Sequence, residues 1–210
     1  MSIFGFYFKL RAKQLARPKG FFGRLVAKKL NKGNRAEYDF IVQELSTYTG
    51  MSILEIGFAN GVLLNRLANM FDNLYFGIDI SRDMVKAAEH INRDFISAGN
   101  MKLFEADVEE MPFGDETFDI IYTANTVYFW RDVEKAIGEI KRVLKPGGKF
   151  INIALIKEGF ERFPPAAHYG FSKYTLTELC DMLMSIGDDL KYKNVDRDNR
   201  FAFIITKEEP

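Results

Sequence analysis

The 210-residue chain has one cysteine, Cys180, and no long uninterrupted apolar run. A lone cysteine excludes an internal disulfide and a cysteine metal cluster. No metal site is expected. The apolar runs are far too short to cross a bilayer. In the aromatic stretch at residues 3–8, positive charges follow the apolar residues and do not precede them, which argues against a signal peptide. A soluble, cytoplasmic protein is expected.

Acidic residues are absent from residues 1–36, which hold ten Lys or Arg. The whole chain has 29 residues of each sign, so 19 basic and 29 acidic residues remain after position 36. This asymmetry predicts two parts. Residues 1–35 form a basic, aromatic N-terminal arm, in which Phe21, Phe22, Leu25 and Val26 make a short apolar face. Residues 36–210 form a single domain.

The second part alternates strand and helix patterns, which predicts an α/β fold with a doubly wound, mostly parallel sheet and helices on both faces. Its size and its 47% hydrophobic content suffice for a full core. The apolar runs are typical of strands buried on both faces. The seven candidate strands are 52–57, 74–80, 101–106, 118–124, 149–156, 191–195 and 200–206.

Helix ends have recognisable signals. Ser81 is predicted to cap one helix, and Thr175 with Glu178 forms a capping box at the start of another. Gly187 is predicted to end that second helix. The turn Pro146-Gly147-Gly148 should stop the helix before it.

The turn after the first strand carries the strongest functional signal. Residues 53–61 read ILEIGFANG, and Glu55 comes just before the turn. The second strand ends in another acid, Asp79. Small residues alternate within the turn: Gly57, Ala59 and Gly61. Together, the small residues of the turn and the two acids indicate a pocket for a nucleoside-bearing cofactor.

The spacing of this turn differs from the dinucleotide fingerprint G-x-G-x-x-G. A pyrophosphate gains little from an adjacent acid such as Glu55, whereas a cofactor with an ammonium and a sulfonium tolerates it. A tight strand-to-helix turn without a ligand is the alternative for this segment taken alone.

Three further blocks follow in order: ADVEEMPF at 106–113, FDIIY at 118–122 and RVLKPGGK at 142–149. With these blocks, the chain closely resembles the class I S-adenosylmethionine-dependent methyltransferases, in the group that acts on small molecules. The resemblance covers about residues 36–207. It implies a Rossmann-like methyltransferase fold whose last strand is antiparallel, S-adenosylmethionine as cofactor and a small-molecule methyl acceptor.

The resemblance also implies roles near the methionine end of the cofactor. Glu55 would face the ammonium, and the backbone from Gly57 through Ala59 to Gly61 would line the amino-acid part. Thr123 to Asn125 would border the reacting centre. The family usually has glycine where this chain has Ala59, and if φ is positive there its methyl costs about 1–2 kcal/mol.

Other roles concern the nucleoside. By the same resemblance Asp79 would accept from the ribose hydroxyls, and Ile80 would pack on adenine. Asp107 would accept from the adenine amino group, and the Val108 amide would donate to a ring nitrogen.

In methyl transfer, the protein mainly aligns the two reactants and excludes water. A general base is needed only where the acceptor loses a proton as it attacks. The candidates are His168, in the predicted lid or substrate loop 158–172, and Tyr128 after the fourth strand. Tyr128 could instead wall the acceptor pocket or simply pack under a loop.

Two other functions stay open: an NAD-dependent oxidoreductase, and a non-catalytic protein that keeps the cofactor fold. The basic arm at residues 1–35 is expected to cap the acceptor side of the site. Contact with an anionic membrane comes second. Nucleic-acid binding is least favoured, because basic residues alone are non-specific.

Overall fold

Seven strands form one sheet in the computed structural model, which describes residues 14–160, 171–196 and 199–209. The sheet order is β3-β2-β1-β4-β5-β7-β6. The strands are β1 Ser52–Ile56, β2 Leu74–Asp79, β3 Met101–Glu105, β4 Phe118–Ala124, β5 Leu144–Leu155, β6 Asp189–Asn194 and β7 Arg200–Thr206.

Helices connect these strands. They are α1 Gly20–Gly33, α2 Arg35–Leu45, α3 Val62–Met70, α4 Arg82–Ile91, α5 Arg93–Ser97, α6 Val133–Val143, α7 Lys157–Phe160 and α8 Leu176–Leu183. A 3-10 turn at Val127–Phe129 follows β4. Within the described ranges, none of these helices combines the length and the apolar character needed to span a membrane.

The predicted sheet is confirmed. Strands β3, β2, β1, β4 and β5 pair in parallel, and β7 runs antiparallel to both of its neighbours, β5 and β6. The chain reverses its direction of travel across the sheet between β1 and β4. In such a sheet, ligands bind in the crevice at the carboxyl ends of the strands around this switch point.

Helices cover both faces of the sheet. Alternate residues of the central strands are therefore buried on opposite sides. In β1, Leu54 packs in one core cluster with α6 and α8, whereas Ile53 packs in the other with α2, α3 and α4. The amphipathic pattern of α2 fits this arrangement, since Ile41 and Leu45 are fully buried. The two packed layers fix the strand ends that carry the site.

Three local predictions need correction. Pro146-Gly147-Gly148 lies inside β5 as an irregularity in its pairing with β4, and α6 ends at Val143 before it. Helix α8 ends at Leu183, so Gly187 does not terminate it. Gly187 is required instead by packing, because a Cβ there would lie 2.1 Å from the carbonyl oxygen of Thr206. The capping box of Thr175 and Glu178 is confirmed.

Ser81 is the third case. It occupies the N-cap position of α4, but its side chain makes no capping hydrogen bond. Its hydroxyl donates to the carbonyl oxygen of Pro18, just before α1. The Gly20 amide donates to Asp83 of α4 at 2.8 Å. The N-terminal segment is therefore attached to the end of β2.

Helix α1 is also attached at its C-terminal end. Asn31 Nδ2 donates to Asn60 Oδ1, in the turn after β1, at 3.1 Å. Asn125 Nδ2, at the end of β4, donates to Asn34 Oδ1 at 3.4 Å. The described part of the basic arm thus crosses the carboxyl edge of the sheet from β2 to β4.

Candidate active site

A cavity of about 670 Å³ lies at the carboxyl ends of β1, β2, β4 and β5, beneath α1. Its volume falls in the range of small-molecule sites. Most of the residues predicted for the site line it: Glu55, Gly57, Ala59, Asp79, Ile80, Asp107, Val108, Asn125 and Tyr128. His168 lies outside the described residues.

Two predicted residues do not line the cavity. The Thr123 side chain is fully buried, and its hydroxyl donates to the Ile56 carbonyl at 2.9 Å. Gly61 is at the N-cap of α3 with φ 72°, where a Cβ would lie 2.7 Å from the Ala88 Cβ. Both residues therefore pack behind the residues that line the cavity.

Glu55 is the single acid of β1 and is 4% exposed. Its Oε2 accepts a hydrogen bond from the Tyr122 hydroxyl at 3.0 Å, and Oε1 has no hydrogen-bond partner among the described residues. Burial raises the pKa of Glu55 to about 8; the Tyr122 hydrogen bond opposes this shift and the charge of Asp79 adds to it. A cationic ligand would compensate this buried carboxyl.

Asp79 ends β2 and is 8% exposed. Its Oδ1 accepts from the Ser81 amide at 2.8 Å, and its Oδ2 accepts from the Ala59 amide at 2.9 Å. Burial raises the pKa of Asp79 to about 6, although these two hydrogen bonds and the charge of Arg17 lower it. Asp79 therefore holds the turn after β1 as well as facing the cavity.

The turn itself has left-handed backbone at Gly57, with φ 75°, and at Ala59, with φ 50°. A Cβ on Gly57 would lie 2.5 Å from Thr126 Cγ2, so only glycine fits there. Ala59 adopts the same region with a side chain, which is the strained conformation considered for this position from the sequence.

Replacing Ala59 by glycine should relieve this strain. We expect Ala59→Gly to raise the free energy of unfolding by about 0.5–1 kcal/mol, because the strain of about 1–2 kcal/mol exceeds the entropy that glycine adds to the unfolded chain. Ala98→Gly is the matched control, because Ala98 has right-handed helical φ and ψ. That change should lower stability. Urea unfolding of both variants would test the prediction, and a less stable Ala59→Gly protein would contradict it.

Asp107 follows β3 and is joined to the loop after β4. Arg131 Nη2 lies 2.9 Å from Asp107 Oδ2 and 3.1 Å from Glu109 Oε2. The buried Glu109 also accepts from the amides of Arg131 and Asp132, at 2.7 and 3.0 Å. These contacts keep the loop containing Trp130 against the cavity.

Tyr128 does not have the geometry of a general base. It is 5% exposed, and its hydroxyl donates to Asn125 Oδ1 at 2.9 Å while it accepts from the Leu155 amide. Burial raises the pKa of Tyr128 well above its ordinary value. The phenol therefore keeps its proton, and the residue packs and orients Asn125.

Sequence reasoning missed an ion pair beside Asn125. Glu37 of α2 is fully buried; its Oε1 accepts from Asn125 Nδ2 at 3.0 Å and lies 2.9 Å from Arg200 Nε. Arg200 begins β7, lines the cavity and also pairs with Asp196. A signal was present, because Glu37 precedes the buried Ile41 by one helical repeat of four residues.

The acids of three adjacent strands thus meet at one edge: Glu55 from β1, Asp79 from β2 and Asp107 after β3. They supply only acceptors, and S-adenosylmethionine presents matching donors: an ammonium, two ribose hydroxyls and an adenine amino group. A dinucleotide would place its pyrophosphate at the turn after β1, beside the buried Glu55, which is unfavourable when that carboxyl is ionised. The residues present therefore fit the sulfonium cofactor.

Comparisons with known proteins show which kind of domain this chain resembles. A family model described as "Methyltransferase domain" matches residues 54–152. The sterol 4-C-methyltransferase strm-1 of Caenorhabditis elegans is 33% identical over 132 residues, which are 61% of this chain and 38% of that protein. The ubiquinone/menaquinone biosynthesis C-methyltransferase UbiE of an Enterobacter species is 28% identical over 145 residues, 68% of this chain and 57% of that protein.

A solved S-adenosylmethionine-dependent methyltransferase from Aquifex aeolicus superposes with a TM-score of 0.66 at 24% identity, and the match covers 86% of this chain and 95% of that one. This likeness shows a shared fold. The chain spans less than two thirds of the length of both curated relatives. The fold is the one found in a solved S-adenosylmethionine-dependent methyltransferase, and residues 54–152 match a methyltransferase domain. By this matched domain and this fold, the chain is similar to the class I S-adenosylmethionine-dependent methyltransferases.

Proposed function

We propose that this protein transfers a methyl group from S-adenosylmethionine to a small-molecule acceptor. The observation that carries the proposal is the set of carboxyls at the ends of β1 and β2 and after β3, which lines one half of a cavity that continues past β4. One half fits the cofactor, and the other has room for a second reactant.

The cofactor half is assigned residue by residue. Glu55 binds the methionine ammonium, and the backbone of Gly57 and Ala59 lines the amino-acid part. Asp79 accepts from the ribose hydroxyls next to Ile80, which packs on adenine.

The adenine amino group donates to Asp107, and the Val108 amide donates to a ring nitrogen. Asn125 borders the methionine moiety, where the two halves of the cavity meet.

When bound, S-adenosylmethionine supplies an electrophilic methyl group on a sulfonium: the acceptor's lone pair forms the new bond while the carbon–sulfur bond breaks and leaves a neutral thioether. The protein's part is alignment and exclusion of water. Helix α1 closes the cavity through Val26, Leu30 and Gly33, which lie on one helical face.

The N-terminal arm is assigned as the cap of this site, on the contacts of Pro18, Gly20, Asn31 and Asn34 with the sheet edge. Contact of residues 1–35 with an anionic membrane stays a prediction. The described feature that favours it is Leu25, which is 48% exposed on the basic helix α1.

Cofactor binding is the first test. In calorimetry at pH 9, where Glu55 is ionised, S-adenosylmethionine and S-adenosylhomocysteine should bind, and NAD should bind at least about tenfold more weakly, because its pyrophosphate would lie at the turn beside Glu55. Tight NAD binding without a response to either sulfur nucleoside would contradict the proposal. A second assay with methyl-labelled cofactor and a panel of metabolites and lipids should then show transfer, which separates an enzyme from a binding protein.

A further inference from the structure

The acceptor half of the cavity has an aromatic wall. It lies past Asn125 and is built by four rings, which belong to Tyr128, Phe129, Phe160 and Phe171. The Tyr128 and Phe160 centroids are 5.1 Å apart at an interplanar angle of 90°, and those of Phe129 and Phe171 are 4.8 Å apart. The contacts between Tyr128 and Phe171 and between Phe160 and Phe171 join the two pairs into one cluster.

Among the described residues of this half, the side chains of Asn125, Thr126 and Tyr128 are engaged in hydrogen bonds within the protein. Asn125 uses Nδ2 on Glu37 and Asn34, and its Oδ1 accepts from Tyr128. The Tyr128 hydroxyl bonds on both sides. Thr126 shares a hydrogen bond with Thr123. A sugar, an amino acid or a nucleotide bound here would leave its own polar groups unpaired, and each such group is costly.

The charged residues of the cavity support the same conclusion. The acids Glu55, Asp79 and Asp107 are on the cofactor half, together with Arg17, which acts on Asp79 and lies 4.0 Å from Glu105. Arg131 is paired with Asp107 and Glu109, and Arg200 is paired with Glu37 and Asp196. Lys29 has no ion pair among the described residues, but it lies on α1, is exposed to solvent and is not part of the aromatic wall.

The geometry points to an uncharged, ring-bearing apolar compound as the methyl acceptor, bound on the cluster of Tyr128, Phe129, Phe160 and Phe171. Its ring makes edge and face contacts with this cluster, and its nucleophilic atom lies beside Asn125. This assignment rests on the proposed function, because the neighbouring half must hold the cofactor for the two reactants to meet.

The test is calorimetry on the full chain loaded with S-adenosylhomocysteine, using 2-naphthol as the neutral ring, 2-naphthoate as its anionic counterpart and glucose as a polar compound. We expect 2-naphthol to bind and the other two to bind at least about tenfold more weakly. Equal or tighter binding of 2-naphthoate, which would indicate recognition by Lys29, overturns the proposal, and so does binding of glucose.

Variants locate the probe. Phe171→Ala and Phe160→Ala should each weaken 2-naphthol binding by roughly 2- to 12-fold, the value of one aromatic contact. Tyr192→Ala is the matched control, because Tyr192 is 51% exposed on β6 and does not line the cavity. This variant should bind 2-naphthol as tightly as the unmodified protein.

Phe160 is 4% exposed, so its variant is interpreted only where S-adenosylhomocysteine still binds; Phe171, which is half-buried, is the second variant. Unchanged 2-naphthol affinity in a folded Phe171→Ala protein overturns the inference and leaves the cofactor site intact. Failure of the unmodified protein to bind S-adenosylhomocysteine would instead overturn the proposed function.

Discussion

Asp79→Ala should weaken the binding of S-adenosylhomocysteine by about 2–4 kcal/mol, or roughly 30- to 1,000-fold. The carboxylate would accept from two ribose hydroxyls, and hydrogen bonds to a charged group are each worth about 1.5–3 kcal/mol. The structure adds a second cause. Asp79 also accepts from the Ala59 and Ser81 amides, so its loss loosens the turn beneath the cofactor.

This double role changes the expected cost to the fold. An acid at a strand end supports little core, so the variant should fold. Two amides would lose their acceptor, however, and stability should fall by about 1–3 kcal/mol. Asp79→Asn keeps one acceptor oxygen. It should therefore lose less cofactor affinity and less stability than Asp79→Ala. Calorimetry and urea unfolding measure the two effects separately.

Asp94→Ala is the control for Asp79, because Asp94 is an exposed acid at the start of α5 and does not line the cavity. Its affinity for the cofactor should stay within about twofold of the unmodified chain. A folded Asp79→Ala protein with undiminished affinity would show that the ribose lies elsewhere.

The acids of the cofactor half are the part of the site that the sequence predicts best. Glu55 and Asp79 each lie at the end of an apolar run, which predicts the end of a buried strand. Ligands bind at the carboxyl ends of parallel strands, so the fold also predicts a ligand site at these two acids. The strands are predicted to within two residues except for β5, whose first residues pair with β4 before Pro146-Gly147-Gly148 interrupts the register.

The acceptor half is poorly predicted because long-range contacts create it. The ion pair of Glu37 with Arg200 joins α2 to β7, and nothing local to either residue specifies its partner. Ser81 shows the same limit: its position at the N-cap follows from the sequence, but its hydroxyl donates to Pro18, which comes from a distant part of the chain. Tertiary contact there replaces the local capping bond.

Glu55 carries the second large effect, which is a dependence of stability on pH. Its pKa is raised from an ordinary 4.5 to about 8 by burial. A carboxyl whose folded pKa lies above its unfolded pKa contributes stability that is fully present below the unfolded value and is lost as the pH rises through the folded value. The cofactor-free protein should therefore lose stability between about pH 5 and pH 9, by an amount on the order of 4 kcal/mol.

Glu55→Gln removes the ionisable group and should flatten this profile, so that the variant is more stable than the unmodified protein at pH 9 and similar to it at pH 5. Asp79, whose pKa is raised to about 6, leaves a smaller dependence in the variant. Glu89→Gln, an exposed acid on α4, is the matched control and should follow the unmodified profile. Thermal unfolding across this pH range checks all three proteins.

Glu55 also couples cofactor binding to the release of a proton. The ammonium of the cofactor needs the ionised carboxylate, whereas near pH 7 most cofactor-free molecules hold Glu55 protonated, since its pKa is about 8. Binding of S-adenosylhomocysteine at pH 7 should then release about 1 proton, and affinity should rise with pH up to about 8. Calorimetry in buffers of different ionisation enthalpy measures this release. Equal proton release by the unmodified and Glu55→Gln proteins would show that Glu55 does not face the ammonium.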